Sequence, residues 1–203
     1  MDSRWTAAKG ADRTCWSPAL EADAAVEGQL YKEYEGKTVP ECRESFGLGW
    51  VLAENALHLS AWGLAGALVW AVRCGGVPVV TLAWALLVVV VQVLLKKHNC
   101  SGCYYYGKTC HLGWGRLSAM LFARDSGDPK TGTRLTLFYV VAPPLFLLLG
   151  ILVGVLEKVR PLHWILLAAY VAVNALAFAL RPKGCRLCAM REVCPGSAAR
   201  QAR

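Results

Sequence analysis

The sequence predicts an all-α membrane protein: four transmembrane helices arranged as two repeated helical hairpins, each followed by a cytoplasmic Cys knuckle. Three observations carry this. Four apolar stretches are each about 20 residues long, enough for a helix to cross a hydrocarbon core. Basic residues crowd one set of connections. A C-x2-C pair with a third cysteine follows the second and fourth stretches. The composition agrees: 56% of the 203 residues are apolar, only 18% are charged, and the mean hydropathy is +0.38.

The first stretch, 50–72, carries Glu54, Asn55 and His58 near its start. The second, 76–95, is nearly pure Val, Leu and Ala, and a tight turn at Arg73-Cys74-Gly75 joins the two. The third, 135–156, contains Pro143-Pro144 and a G-x-x-x-G at Gly150 and Gly154. The fourth, 161–180, is interrupted mainly by Asn174. In lipid every backbone polar group must be satisfied within its own segment, so each stretch should be helical. The glycine pair favours close helix contact, read as packing within the bundle rather than as a dimer seam.

The expected organisation is a polar cytoplasmic N-terminal segment (1–49), a first hairpin (50–95), a Cys-rich loop with an interfacial helix (96–134), a second hairpin (135–180) and a Cys-rich tail (181–203). Of 22 Lys and Arg, all but Arg73, Lys158 and Arg160 fall in the two termini and the long loop, 19 against 3. The positive-inside rule then places both termini and that loop in the cytoplasm of an inner (plasma) membrane, with multi-pass topology. The first 47 residues are polar, with one helix expected over 17–34, and lack the apolar core of a signal peptide. The net charge of +8 is accounted for by this asymmetry, so no nucleic-acid partner is expected.

The cysteine repeat is the most informative chemistry. Cys100 and Cys103 follow the second stretch after a four-residue basic linker, with Cys110 after six more residues. Cys185 and Cys188 follow the fourth in the same way, with Cys194 after five. In a reducing cytoplasm stable disulfides are disfavoured. Thiolates in C-x2-C loops converge instead on a metal, as zinc at four-coordinate sites or as an iron–sulfur cluster. Cys100, Cys103, Cys110, Cys185, Cys188 and Cys194 are the expected ligands. His98, His111 and Cys42 are further candidates. Cys15, like Cys42, is equally well read as a small buried apolar residue.

Glu54 and His58 share a helix face four residues apart. Ionisable groups inside a span are by default functional, and the pair is a candidate proton path lying beneath the cysteines without reaching them. Snorkelling of Glu54 to water is the competing explanation. Residues 112–123, with Trp114, Leu117, Met120 and Leu121, read as an interfacial helix. Tyr104-Tyr105-Tyr106 read as headgroup-zone aromatics or a docking surface, and 124–134 as a turn-rich loop. No nucleophile–base pair and no nucleotide fingerprint is present, and whether the chain is an enzyme stays open. The expected function is an integral membrane metal-binding protein with iron–sulfur centres passing electrons to a membrane carrier such as a quinone, or to a redox partner subunit. The alternatives are a zinc-stabilised structural or interaction protein and, less favoured, a membrane thiol oxidoreductase. Membrane lipid is a partner in every case.

Overall fold

The computed structural model describes residues 43, 45–156, 161–191, 194 and 197–199. Cys15, Cys42, the helix expected over 17–34 and the turn at 157–160 lie outside the described residues. The described chain is mostly helical: α1 (Leu48–Leu68), α2 (Val79–Leu95) with a π-helical turn (Lys96–Cys100), α3 (Trp114–Leu121), α4 (Pro129–Thr136), α5 (Phe138–Leu156) and α6 (Pro161–Arg186). Its only β pairing among the described residues is two isolated bridges.

Three helical stretches are long and apolar enough to cross a membrane: Val79–Cys100, Pro129–Leu156 and Pro161–Arg186. The sequence led us to expect four. At 21 residues α1 is long enough, but Glu54, Asn55 and His58 lower its apolarity. Those residues meet protein. The Asn55 amide donates to the carbonyl of Leu112 at 2.9 Å, and Trp114 Nε1 donates to Asn55 Oδ1 at 3.4 Å. The first turns of α1 are thus flanked by the cysteine loop, which lets a helix there carry polar side chains.

The α1–α2 connection is a tight reverse turn. Cys74 and Val77 exchange backbone hydrogen bonds at 2.9 and 3.1 Å, and Gly75 and Gly76 both have positive φ, 58° and 81°. A turn with two left-handed central residues favours Gly at both. Pro78 then leads into α2.

Helix bounds differ from expectation where the cysteines begin. The basic linkers are helix, not spacer: α6 runs through Pro182 to Arg186, and α2 continues through the π turn. Carbonyls near the π turn find side-chain donors, Lys96 O from the Ser118 hydroxyl at 2.9 Å and Lys97 O from Ser101. The expected loop 124–134 also ends in a helix. Asp128 caps α4 by accepting from the Lys130 and Thr131 N–H groups at 3.2 and 2.8 Å, and Pro129 fills the first helical position. Both are standard N-terminal choices. In α3, Leu117, Met120 and Leu121 are exposed while Gly115 and Ser118 are buried.

Two cores result. Within the bundle, Ala65, Leu68, Trp84, Phe146, Leu167 and Tyr170 pack together. Gly150 lies against Leu167 and Leu68, and Gly154 against Trp164 and His163, so the glycine pair serves packing within the bundle. His163 is 8% exposed and donates Nε2–H to the Gly150 carbonyl at 2.8 Å. At the end of the bundle away from Gly75, a cap buries Phe46, Tyr104, Tyr105, Cys188, Ala189 and Met190. Leu86, Leu148, Val155 and Ile165 lie exposed along the bundle, the apolar exterior that hydrocarbon would cover.

A candidate metal centre lined by two cysteine triplets

Each triplet is positioned by the same backbone device. In the first, the carbonyls of Cys100, Cys103 and Cys110 accept from the N–H three residues on, those of Cys103, Tyr106 and Gly113. In the second, those of Cys185, Cys188 and Cys194 accept from Cys188, Arg191 and Ser197. Six turns at six cysteines hold each thiol on a fixed bend, at donor–acceptor distances of 2.8–3.3 Å.

The two triplets meet. All six cysteines line one cavity of about 130 Å³ at the top of the bundle. Cys100 enters from the π turn and Cys185 from the last turn of α6, and Cys185 and Cys188 are buried. No disulfide joins Cys100, Cys103, Cys110, Cys185 or Cys188. Burial, reinforced by the neighbouring thiols of Cys100 and Cys188, pushes the Cys103 thiol well above its ordinary range. Burial and then Cys194 do the same to Cys188. Among the described residues no three His, Cys, Asp or Glu side chains are gathered tightly enough to hold a single metal ion.

No family model matches the chain, and no curated protein or solved structure matches it.

A strap and a phenol tie the triplets together. Arg43 N–H donates to Leu187 O at 2.9 Å and Phe46 N–H to Thr109 O at 3.0 Å, so the segment before α1 touches both units. Tyr105, 1% exposed, donates its hydroxyl to Arg43 O and accepts from Ala189 N–H at 3.1 Å. Burial, then Cys188, raises its pKa, keeping the phenol protonated as the clamp requires. The tyrosine run is therefore interior at Tyr104 and Tyr105, against the headgroup-zone expectation. Only its aromaticity was visible in the sequence, and nothing local pointed to partners 62 and 84 residues away.

The remaining candidates divide. Glu54 and His58 line the same cavity as the cysteines instead of lying out of reach below them. Glu54 is 6% exposed, so it does not snorkel. Trp50 Nε1 donates to it at 3.2 Å, and His111 Nδ1 lies 3.4 Å from its other oxygen, an ion-pair distance when His111 is protonated. His58 donates Nδ1–H to the Glu54 carbonyl at 2.7 Å. His111 also lines the cavity. His98 does not, because its Nδ1 accepts the Asp128 N–H at 2.9 Å and anchors the loop before α4. Cys42 lies outside the described residues. Tyr139, Arg181 and Asn99 also line the cavity and were not singled out from the sequence. Arg181 follows the fourth apolar stretch directly, a basic residue one turn before the C-x2-C, and that was the available signal.

Proposed function

We propose that this chain is a multi-pass inner-membrane redox protein whose two cysteine triplets share an iron–sulfur centre, passing electrons to or from a membrane carrier or a partner subunit. The observation that supports it is the single cavity lined by all six cysteines. Soft thiolates are the donors iron–sulfur clusters take. Zinc asks for four ligands at about 2.0–2.3 Å from one point. A cavity lined by thiols from both halves has room for a group with volume as well as for one ion. The group's chemistry is one-electron exchange; the chain supplies thiols from both halves, and Glu54, His58 and His111 as neighbouring proton-exchanging groups.

In this reading α1 is the fourth crossing, its polar first turns shielded by the cap, and the cap faces the cytoplasm with both termini. The asymmetry of 19 basic residues against 3 supports that orientation. Cys74, exposed at the opposite end, tests it. A membrane-impermeant maleimide applied to right-side-out vesicles should label Cys74 and spare the cap cysteines, and the reverse pattern overturns the orientation.

The centre itself is tested by purification without oxygen. Iron with acid-labile sulfide, and a broad visible shoulder that bleaches with dithionite, is the expected result. Stoichiometric zinc without colour would sink the redox reading and leave a zinc-tied scaffold.

A further inference from the structure

A second cavity lies directly beneath the thiols and shares three of its walls with them. His58, Tyr139 and Arg181 line both. The remaining walls of the lower cavity are mainly flat or small, with Asn174 the polar exception. Trp62, Trp84, Phe138 and Tyr170 present aromatic faces, while Ala61 and Ala177 leave room between α1 and α6. The aromatic walls are braced: Trp84 stacks on Phe138 with ring centroids 5.5 Å apart, and its Nε1–H is held by the Trp62 carbonyl at 3.0 Å. Phe178, which also lines it, is 53% exposed, so the cavity reaches the outer, lipid-facing surface of the bundle.

Such a space has a polar end at His58, Tyr139 and Arg181 and an opening past Phe178. At the polar end the His58 Nδ1–H is engaged by the Glu54 carbonyl, which leaves Nε2 as the lone-pair nitrogen of the neutral ring. The Arg181 guanidinium carbon lies 5.6 Å from the Tyr139 ring centroid. Together they offer a fixed cationic donor and a nitrogen acceptor. A flat ring bearing carbonyl oxygens in one state and hydroxyls in the other uses both, and an isoprenoid or alkyl tail would leave past Phe178 into lipid. We propose that the lower cavity binds the ring of a lipid-soluble quinone or quinol, between the aromatic walls and against Arg181 and His58. This rests on the redox reading above and names its carrier. The three shared side chains separate that ring from the cysteines.

The test uses the full chain in nanodiscs of synthetic phospholipid containing no quinone, titrated with a decyl-substituted benzoquinone. Tryptophan fluorescence should be quenched saturably, and Trp62→Phe should remove part of the quenching. Ala177→Phe and Ala61→Leu each fill the cavity from a half-buried position on a different helix, and should each weaken binding about tenfold or more. Iron, sulfide and visible absorption are measured on the same samples, which keeps the two readings apart. Unchanged metal with weakened quinone binding supports the site. Quenching that rises linearly without saturating, or parent-like affinity in both filled variants, overturns it even if the iron–sulfur centre is present. Saturable binding lost in both variants of a zinc-loaded or metal-free chain supports the cavity while removing the redox reading.

Discussion

The two cysteine units share their turns but not their support. The first, Cys100 to Gly113, is wrapped: α3 packs beneath it, Asn55 holds Leu112, and the backbones come so close that Gly115 has no room for a side chain. The second, Cys185 to Ser197, grows directly from the end of α6 and borrows its anchors, taking one hydrogen bond from Arg43 and giving one to Tyr105. The same C-x2-C pair can thus be held by a preformed socket or by docking into one. The first unit is the socket and the second the insert.

The sharpest way to break this comparison is at the shared thiols. Cys103→Ser and Cys188→Ser should each lower retained metal about tenfold or more after dialysis against a weak chelator, measured as metal per chain. If the second unit only decorates the first, Cys188→Ser will retain metal like the parent.

Next in size is a pair of glycines. A Cβ on Gly115 would sit 1.9 Å from Tyr105 O and 2.7 Å from Lys108 O, both backbone atoms of the socket. Gly115→Ala should therefore destabilise the cap by about 3 kcal/mol or more. A Cβ on Gly184 would meet only side chains, Glu54 Oε1 at 3.2 Å and Trp50 at 3.3 Å, which can give. Gly184→Ala should cost about 1 kcal/mol or less. Limited proteolysis of the cap ranks them, and equal sensitivity would remove the distinction between socket and insert.

Smaller still is Tyr105→Phe. It leaves the Ala189 N–H and the Arg43 carbonyl without their partner, a loss of about 1–3 kcal/mol. The Ala189 amide should exchange with solvent faster while amides of the first unit keep their protection. Uniform loosening of both units would mean that the phenol organises the socket itself.

How much of this could be read from the chain alone follows distance along it. Hydropathy located the long apolar helices, and the cysteine spacing located the six thiols that line the cavity, because both signals are local. The polar trio Glu54, Asn55 and His58 pointed to function, but its actual partners, such as Leu112 and His111, belong to a loop more than 50 residues on, and no periodicity encodes that. Asp128-Pro129 was legible as a cap followed by a first helical proline. It was read as a turn because the two signals use the same residues. The Tyr105 clamp was illegible, since its partners come from opposite ends of the described chain.

The weakest effect concerns Asp128, which supports the socket only indirectly by starting α4. The Thr131 hydroxyl and N–H hold its carboxyl below the usual carboxylate range. A depressed folded-state value means that its contribution is complete above the unfolded value, about 3.9, and is lost as pH falls through the lower folded one. Acidification from pH 5 should therefore loosen the Lys130 and Thr131 amides first, and Asp128→Ala should abolish that pH dependence while leaving the second unit unaffected.

The strap at Arg43 and Phe46 also sets an order of assembly. It must find Thr109 and Leu187, so the cap closes contacts spanning more than 140 residues of sequence. Chains emerge from the ribosome N-terminus first. The segment before α1 waits through the synthesis of every later helix before its second partner exists, and closing so large a loop is slow. During that interval Cys100, Cys103 and Cys110 stand in a half-built chamber open on the side that Cys185, Cys188 and Cys194 will later cover. Any centre that needs all six thiols is therefore inserted after the last helix is in place, and biogenesis ends where the chemistry begins.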